Sequence, residues 1–318
     1  MTVKDAASLW GISERRVNEL CRSGRIMGAE QDGRKWLIPD DAQKPADMRG
    51  RPNTPRKPLP IGVSDYKDAC TDYYYVDKTM MLKDFMDERP KVSLFTRPRR
   101  FGKTLNMDMF RTYFEKADAD TSIYFRDKKI WKCGDRYRSQ QGKYPVVFLS
   151  FKDIKYATWE ETYQAIKQLI AQEFRRHNLL ATSNTLSDYE RNDFQKLAIG
   201  AGSEVDYQMS LQTLTLLLHK HFGIAPIIII DEYDTPIQQG HNSGFYDTVI
   251  NFMRNLFSGG LKDNPHLSYG FLTGILRVAK ESIFSGLNNL KVNSILDERY
   301  SEYFGFTSAE VREMAKYY

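Results

Sequence analysis

Cysteine is scarce in this chain. Cys21, Cys70 and Cys133 are the only three in 318 residues, and they stand far apart. An odd number at that spacing gives neither a disulfide framework nor a paired-cysteine metal module. It points to a reducing, cytoplasmic compartment. Histidine is nearly as scarce, with five copies and none at a metal-ligand spacing. No uninterrupted apolar run reaches the roughly 18 residues that a membrane-spanning helix needs, so no membrane partner is expected. The N-terminus lacks the apolar segment of a secretory signal.

Apolar residues make up 41% and charged residues 27% of the chain, as in ordinary globular proteins. The length suits one large domain and a small one. The formal charge of +5 is unevenly spread, because the first 57 residues hold twelve Lys and Arg against eight Asp and Glu. Nearly all the excess sits there. That places a polyanion partner at the N-terminus, unless the charge only solvates a tail.

The chain is organised around Val92–Phe110, VSLFTRPRRFGKTLNMDMF. Val92–Phe95 reads as a buried strand. Gly102, Lys103 and Thr104 follow, and then a helical pattern with Leu105, Met109, Phe110 and Tyr113 on one face. Strand, tight loop, Gly-Lys-Thr and helix is the layout of a phosphate-binding P-loop. The candidate nucleotide-binding residues are Arg97, Pro98, Arg99, Arg100, Phe101, Gly102, Lys103, Thr104 and Leu105. Loop amides and the helix N-terminus would face the phosphates. Lys103 would reach the β- and γ-phosphates, and Thr104 would hold Mg²⁺. The full pattern has a glycine where this chain has Arg97, so Gly-Lys-Thr alone also fits a plain strand–turn–helix.

The matching half is Ile227–Ile230 followed by Asp231 and Glu232. Four isoleucines in a row suit a strand buried on both faces of a parallel sheet. Adjacent carboxylates at its end are costly unless used. Asp231 would be the second Mg²⁺ ligand, and Glu232 would polarise the attacking water. The bland reading is a capped loop.

Strands at Pro145–Phe151 and Leu267–Thr273 alternate with helices at Thr158 to about Phe174, roughly Val205–Phe222 and near Phe245–Phe257. That order predicts an α/β fold with a parallel sheet. Ligands in such sheets bind at the carboxyl ends of the strands. Thr273 would orient water or the γ-phosphate there. Arg277 is a candidate arginine finger, in cis or towards a neighbouring copy, which makes a homo-oligomer a candidate state. Lys280 is a weaker candidate. Tyr73–Tyr75 precede a helix through Met86 and could flank a base, although aromatic clusters usually belong to a core. Residues 285–289 read as a loop, and Thr307–Tyr318 as a capped helix.

At the N-terminus, Val3, Ala6, Ala7 and Trp10 share one helical face after a Thr2–Asp5 start. Gly11 ends that helix. Ser13 caps a second, with Val17, Leu20 and Cys21 inward and Arg15, Arg16, Asn18, Glu19 and Arg22 outward. Two short helices joined by a glycine turn make a helix-turn-helix. Asp32-Gly33 marks a hairpin within Ala29–Pro39, with Arg34 and Lys35 just past its tip. The candidate DNA-contacting residues are Ser13, Arg15, Arg16, Asn18, Arg22, Arg34 and Lys35. Pro45, Pro52, Pro55, Pro58 and Pro60 mark an extended linker. The expected division is 1–42, a linker over 43–60, and 61–318.

VKDAASLWGISERRVNELCRSGRI and GRKWLIP resemble the MerR/excisionase-type winged helix. The resemblance implies duplex DNA as partner, while a protein-docking module remains the alternative. LPIGVSDY, YYYVDKT, FTRPRRFGKTLN, IIIIDEYDTPI, FLTGILRVAKESIFSGLNNL and YSEYFGFT together resemble the bacterial AAA-ATPase-like family. The family carries RPRRFGKT in the same form, so the absent glycine is a family trait. The resemblance implies a three-layer P-loop NTPase of the additional-strand class, with ATP and Mg²⁺ as cofactors. A guanine-reading Asn/Thr-Lys-x-Asp word is absent, which favours ATP over GTP. Family members often continue into a nuclease domain, but this sequence shows no Asp…Glu-x-Lys core, so nuclease activity is not expected. A fragment or an early-terminating form is the expectation for the chain. An ATPase with a DNA-binding head, in regulation, defence or a mobile element, is one reading. A nucleotide-binding regulator without hydrolysis is the other.

Overall fold

The computed structural model describes residues 1–33, 35–45, 56–275, 283–284 and 288–318. They form two compact units, Met1–Arg56 and Lys57–Tyr318.

In the first unit, α1 (Val3–Trp10) starts with a capping box between Thr2 and Asp5. Gly11 ends it in the left-handed region, φ +63°, which glycine enters without a Cβ penalty. Ser13 accepts from the Arg16 amide and caps α2 (Glu14–Arg22). Ala6, Ala7, Trp10, Val17, Leu20, Cys21, Ile26 and Ile38 close a small core. The strands β1 (Glu30–Asp32) and β2 (Lys35–Leu37) pair antiparallel, with Asp32 opposite Lys35. Asp32 thus lies in β1 rather than in the turn, where the Asp32-Gly33 expectation put it. Lys35 lies in the strand, not past the tip.

The second unit is a five-stranded parallel sheet of a P-loop-like α/β fold. Its strands are β3 (Val92–Thr96), β4 (Val146–Ser150), β5 (Ile227–Asp231), β6 (Tyr269–Gly274) and β7 (Leu290–Asn293). The spatial order is β4-β5-β6-β3-β7. Thus β6 lies between the strand that leads into Gly-Lys-Thr and the strand that ends in Asp231. The isoleucines of β5 alternate between two cores. Ile228 and Ile230 pack with the Trp159–Arg176, Ser210–Phe222 and Tyr246–Leu261 helices. Ile227 and Ile229 pack on the other face with Phe85, Phe110 and Phe271. Burying each contributes roughly 1.5–3 kcal/mol.

Several boundaries differ from expectation. The helix expected over 205–222 is two, Glu204–Gln208 and Ser210–Phe222, each with its own start. The capping box between Ser203 and Asp206 begins the first, and the Ser210 hydroxyl donates to Tyr207 O at the break. The linker is shorter at its C-terminal end. Lys57 N donates to the Tyr317 hydroxyl at 2.9 Å, and Tyr74 N donates to Pro58 O at 2.8 Å, so Lys57–Pro60 belongs to the second unit. Strand β7 stands immediately after the expected loop, and the Thr235–Ser243 helix follows Asp231 and Glu232.

Candidate nucleotide site

Strand β3 ends at Thr96, and the loop over 97–102 leads into the helix Lys103–Phe114. Two loop residues take positive φ, Arg100 at +68° and Gly102 at +77°. Pro98, Arg99, Arg100, Phe101 and Gly102 are exposed. Lys103 is buried, and its Nζ donates to Arg97 O at 3.0 Å and Pro98 O at 2.9 Å. Burial lowers its pKa from the usual lysine value, while the carboxylates of Glu232, Asp231 and Asp234 oppose that shift.

Asp231 ends β5 and is fully buried. Its Oδ2 accepts from the Thr104 hydroxyl at 2.9 Å and from the Ser150 hydroxyl at 3.4 Å. Its Oδ1 accepts from the Thr273 hydroxyl at 2.5 Å. Three strands and one helix thus converge on one carboxylate. The Thr273 oxygen also accepts from Glu232 N at 3.2 Å, so this hydroxyl braces Asp231 and Glu232. Glu232 sits at φ +53°, and its Oε2 accepts from the Thr235 hydroxyl at 3.2 Å.

The Arg97 side chain departs from the expected phosphate role. It is 2% exposed and turned inward, where Nη1 donates to Thr96 O and Asn293 O. Its backbone is engaged as well, N donating to Gly274 O and O accepting from Lys103 Nζ. Leu105 is half-buried against the core on the helix side. Arg277 and Lys280 lie outside the described residues. The tyrosines split: Tyr75 packs against the core, and Tyr74 packs on Tyr317 and Tyr318. Sequence reasoning missed Ser150, Thr235 and the buried Asp234. Asp234 accepts from Ile275 N at 2.9 Å and from Gln238. The word DEYD held that last signal.

A family model described as Predicted AAA-ATPase matches residues 60–284. The chain belongs to this family. The AAA-ATPase-like match covers β3 to β6, the whole Asp231 cluster and the phosphate loop. Membership implies nucleotide binding. An uncharacterized protein in the vnfD 5' region of Azotobacter chroococcum mcd 1 is 29% identical over 259 residues, covering 80% of this chain. The chain spans 44% of that relative's length. No solved structure matches the chain. No described helix of this AAA-ATPase family member is long and apolar enough to cross a membrane.

In the first unit, Ser13, Arg15, Arg22 and Lys35 are exposed, and Arg16 and Asn18 are half-buried. Ser13 is engaged as the cap of α2, Arg16 pairs with Glu19 at 2.7 Å, and Asn18 donates to Glu14 O. Arg34 lies outside the described residues. Among the described residues no group of three or more His, Cys, Asp or Glu forms a metal site.

Proposed function

We propose that the second unit binds and hydrolyses ATP with Mg²⁺, and that the first unit contacts duplex DNA. The observation that supports it most is the Thr104–Asp231 hydrogen bond of 2.9 Å, which joins the two halves of a P-loop site. The donor set fits the metal. Among the described residues, the buried Asp231 carboxylate accepts only from the hydroxyls of Thr104, Ser150 and Thr273. A carboxylate and a hydroxyl are the hard oxygen ligands that Mg²⁺ takes. Thr104 and Asp231 would hold it, and when bound it would neutralise charge between the β- and γ-phosphates.

Lys103 and the amides of the 97–102 loop would bind the polyphosphate and stabilise developing charge. Glu232 would orient water and accept its proton. Thr273 would position both acids. Arg277 retains its expected role as γ-phosphate sensor or finger, in cis or towards a second copy. The sheet order, with a strand inserted between β3 and β5, supports the additional-strand ATPase class. In the first unit, α1, α2 and the hairpin support a winged helix-turn-helix, with Arg15, Arg22 and Lys35 available to phosphates.

The contact between Thr235 and Glu232 favours a second reading, nucleotide binding without useful turnover, because it engages the candidate base. Steady-state phosphate release with Mg·ATP, with and without duplex DNA, separates them. Turnover that disappears in Glu232→Gln supports the ATPase. Nucleotide binding with no phosphate release in the wild-type protein supports the regulator.

A further inference from the structure

Arg97 stands where an ordinary phosphate loop has its first glycine. Its guanidinium is buried and lies over the Phe304 ring, 4.7 Å from the centroid. Nη1 donates to Asn293 O at 2.7 Å, which ties the loop to the end of β7. Nη2 is buried and has no hydrogen-bond partner among the described residues. Two further bonds join the loop and the helix that follows it to the same downstream segment. Gly305 N donates to Phe101 O at 3.1 Å, and Asn106 Nδ2 donates to Tyr303 O at 2.9 Å. Residues 293–305 therefore form a strap against the phosphate loop. Lys78 anchors that strap, donating to Glu302 O and to Glu310.

The loop has its own internal tie, since Lys103 Nζ donates to the carbonyls of Arg97 and Pro98. A polyphosphate competes for that ammonium. Once released, those carbonyls are free to turn, and one belongs to the residue whose side chain grips the strap. A glycine at 97 would let the loop rearrange alone. An arginine pinned to Asn293 and Phe304 cannot leave the strap behind. A buried charged donor without an acceptor is unfavourable, so the unpartnered Nη2 favours a second arrangement of the strap in which it is satisfied.

We propose that Arg97 is a positioning residue that couples the phosphate loop to the strap at 293–305, so that nucleotide at the loop changes the strap around Tyr303–Gly305. The coupling rests on the nucleotide reading above. Hydrogen–deuterium exchange on the full chain tests it, with and without Mg²⁺ and a non-hydrolysable ATP analogue, in wild type, Arg97→Lys and Phe304→Leu. Peptides over 97–104 report the loop, and peptides over 300–306 report the strap. In wild type both should change on adding the analogue. In Arg97→Lys the loop response should persist, while the strap response falls at least threefold. Phe304→Leu, which keeps Arg97 and an apolar side chain beneath it, should weaken the strap response in the same direction and decides the matter if Arg97→Lys does not fold. A wild-type loop that responds beside an unchanged strap overturns the coupling and leaves the nucleotide site standing. So does a strap that responds in both variants as in wild type. A wild-type loop with no response overturns both readings.

Discussion

The Thr104 hydroxyl donates to the Asp231 carboxylate over 2.9 Å, although 127 positions separate them in the chain. One residue lies in the first turn of the helix after the phosphate loop, and the other ends the isoleucine strand. No local rule brings them together. The sheet does so, by placing the carboxyl ends of β3 and β5 on either side of β6.

The Lys103 ammonium and the Glu232 carboxylate are assigned different steps, so their variants should separate. Lys103→Ala should weaken nucleotide binding roughly tenfold to a hundredfold, the worth of a charge-assisted hydrogen bond or two. Glu232→Gln should bind nucleotide as wild type and lose turnover by roughly 10²–10⁴, the usual contribution of a general base. Equilibrium titration with a fluorescent nucleotide and a phosphate-release assay read the two effects. Equal turnover in wild type and Glu232→Gln would remove the assigned base.

Gly274 ends β6 beside the site, and no side chain fits there. A Cβ would stand 2.6 Å from Tyr233 Cε1 and 2.9 Å from Asp234 Oδ1. Gly274 O also accepts from Arg97 N, so a shift there reaches the loop. Gly274→Ala should destabilise the protein by about 1–3 kcal/mol, as overpacking does, measured by denaturant unfolding. An unchanged midpoint would mean that Tyr233 yields freely.

Acid should reveal the histidine pair. His219 Nδ1 and His266 Nδ1 lie 3.0 Å apart, an arrangement that two protonated rings cannot share. Burial, His219 and then Lys220 hold His266 below its usual value of 6.5. With the folded value depressed, the unfolded chain takes up the proton first as pH falls below 6.5. Stability from this group is therefore present above 6.5 and is lost progressively down to the folded value. His266→Gln should flatten the fall in melting temperature between pH 7 and pH 5. A pH profile parallel to wild type would show that the pair contributes nothing.

If the first unit contacts DNA as proposed, the exposed Arg15, Arg22 and Lys35 give it a salt signature. The 318-residue chain should bind duplex DNA with an affinity that falls linearly on a log–log plot against salt. Arg22→Ala and Lys35→Ala should each reduce that slope by about one. Salt-independent binding, or none, would make this unit a protein-docking module.

Much of this architecture was legible from local pattern. The apolar run at 92–95, the isoleucines at 227–230, and the capped helices at Thr2, Ser13 and Thr307 all carry their own signals, and each appears as an element. Strand β7 did not announce itself, because it is four residues long and mostly half-buried at a sheet edge, so neither alternation nor a continuous apolar run marks it. The break at Met209 lay hidden inside one unbroken apolar periodicity. Within the candidate site, the sequence singles out Lys103, Thr104, Asp231 and Thr273 by residue type, and the fold brings Thr104 and Thr273 onto Asp231. The Thr273 hydroxyl's grip on Asp231 depends on the β5–β6 register, and the Ser150 contact on the β4–β5 register. Strand neighbours distant in sequence leave no mark on either segment. Arg97 is the sharpest case. Read along the chain, it is a missing glycine in a crowd of positive charge. In the fold it is a buried side chain whose partners, Asn293 and Phe304, lie about two hundred residues downstream.

On the proposed function, the loop at 97–104 and the acid at 231 make one metal-dependent nucleotide site. Equilibrium binding of a non-hydrolysable ATP analogue, with and without Mg²⁺, tests it in wild type, Thr104→Val, Asp231→Asn and the double variant. Binding should be tight only with Mg²⁺, should fall at least tenfold in each single variant, and should be little worse in the double variant than in either, because both groups serve the same ion. Binding that ignores Mg²⁺ and survives unchanged in both single variants would contradict it.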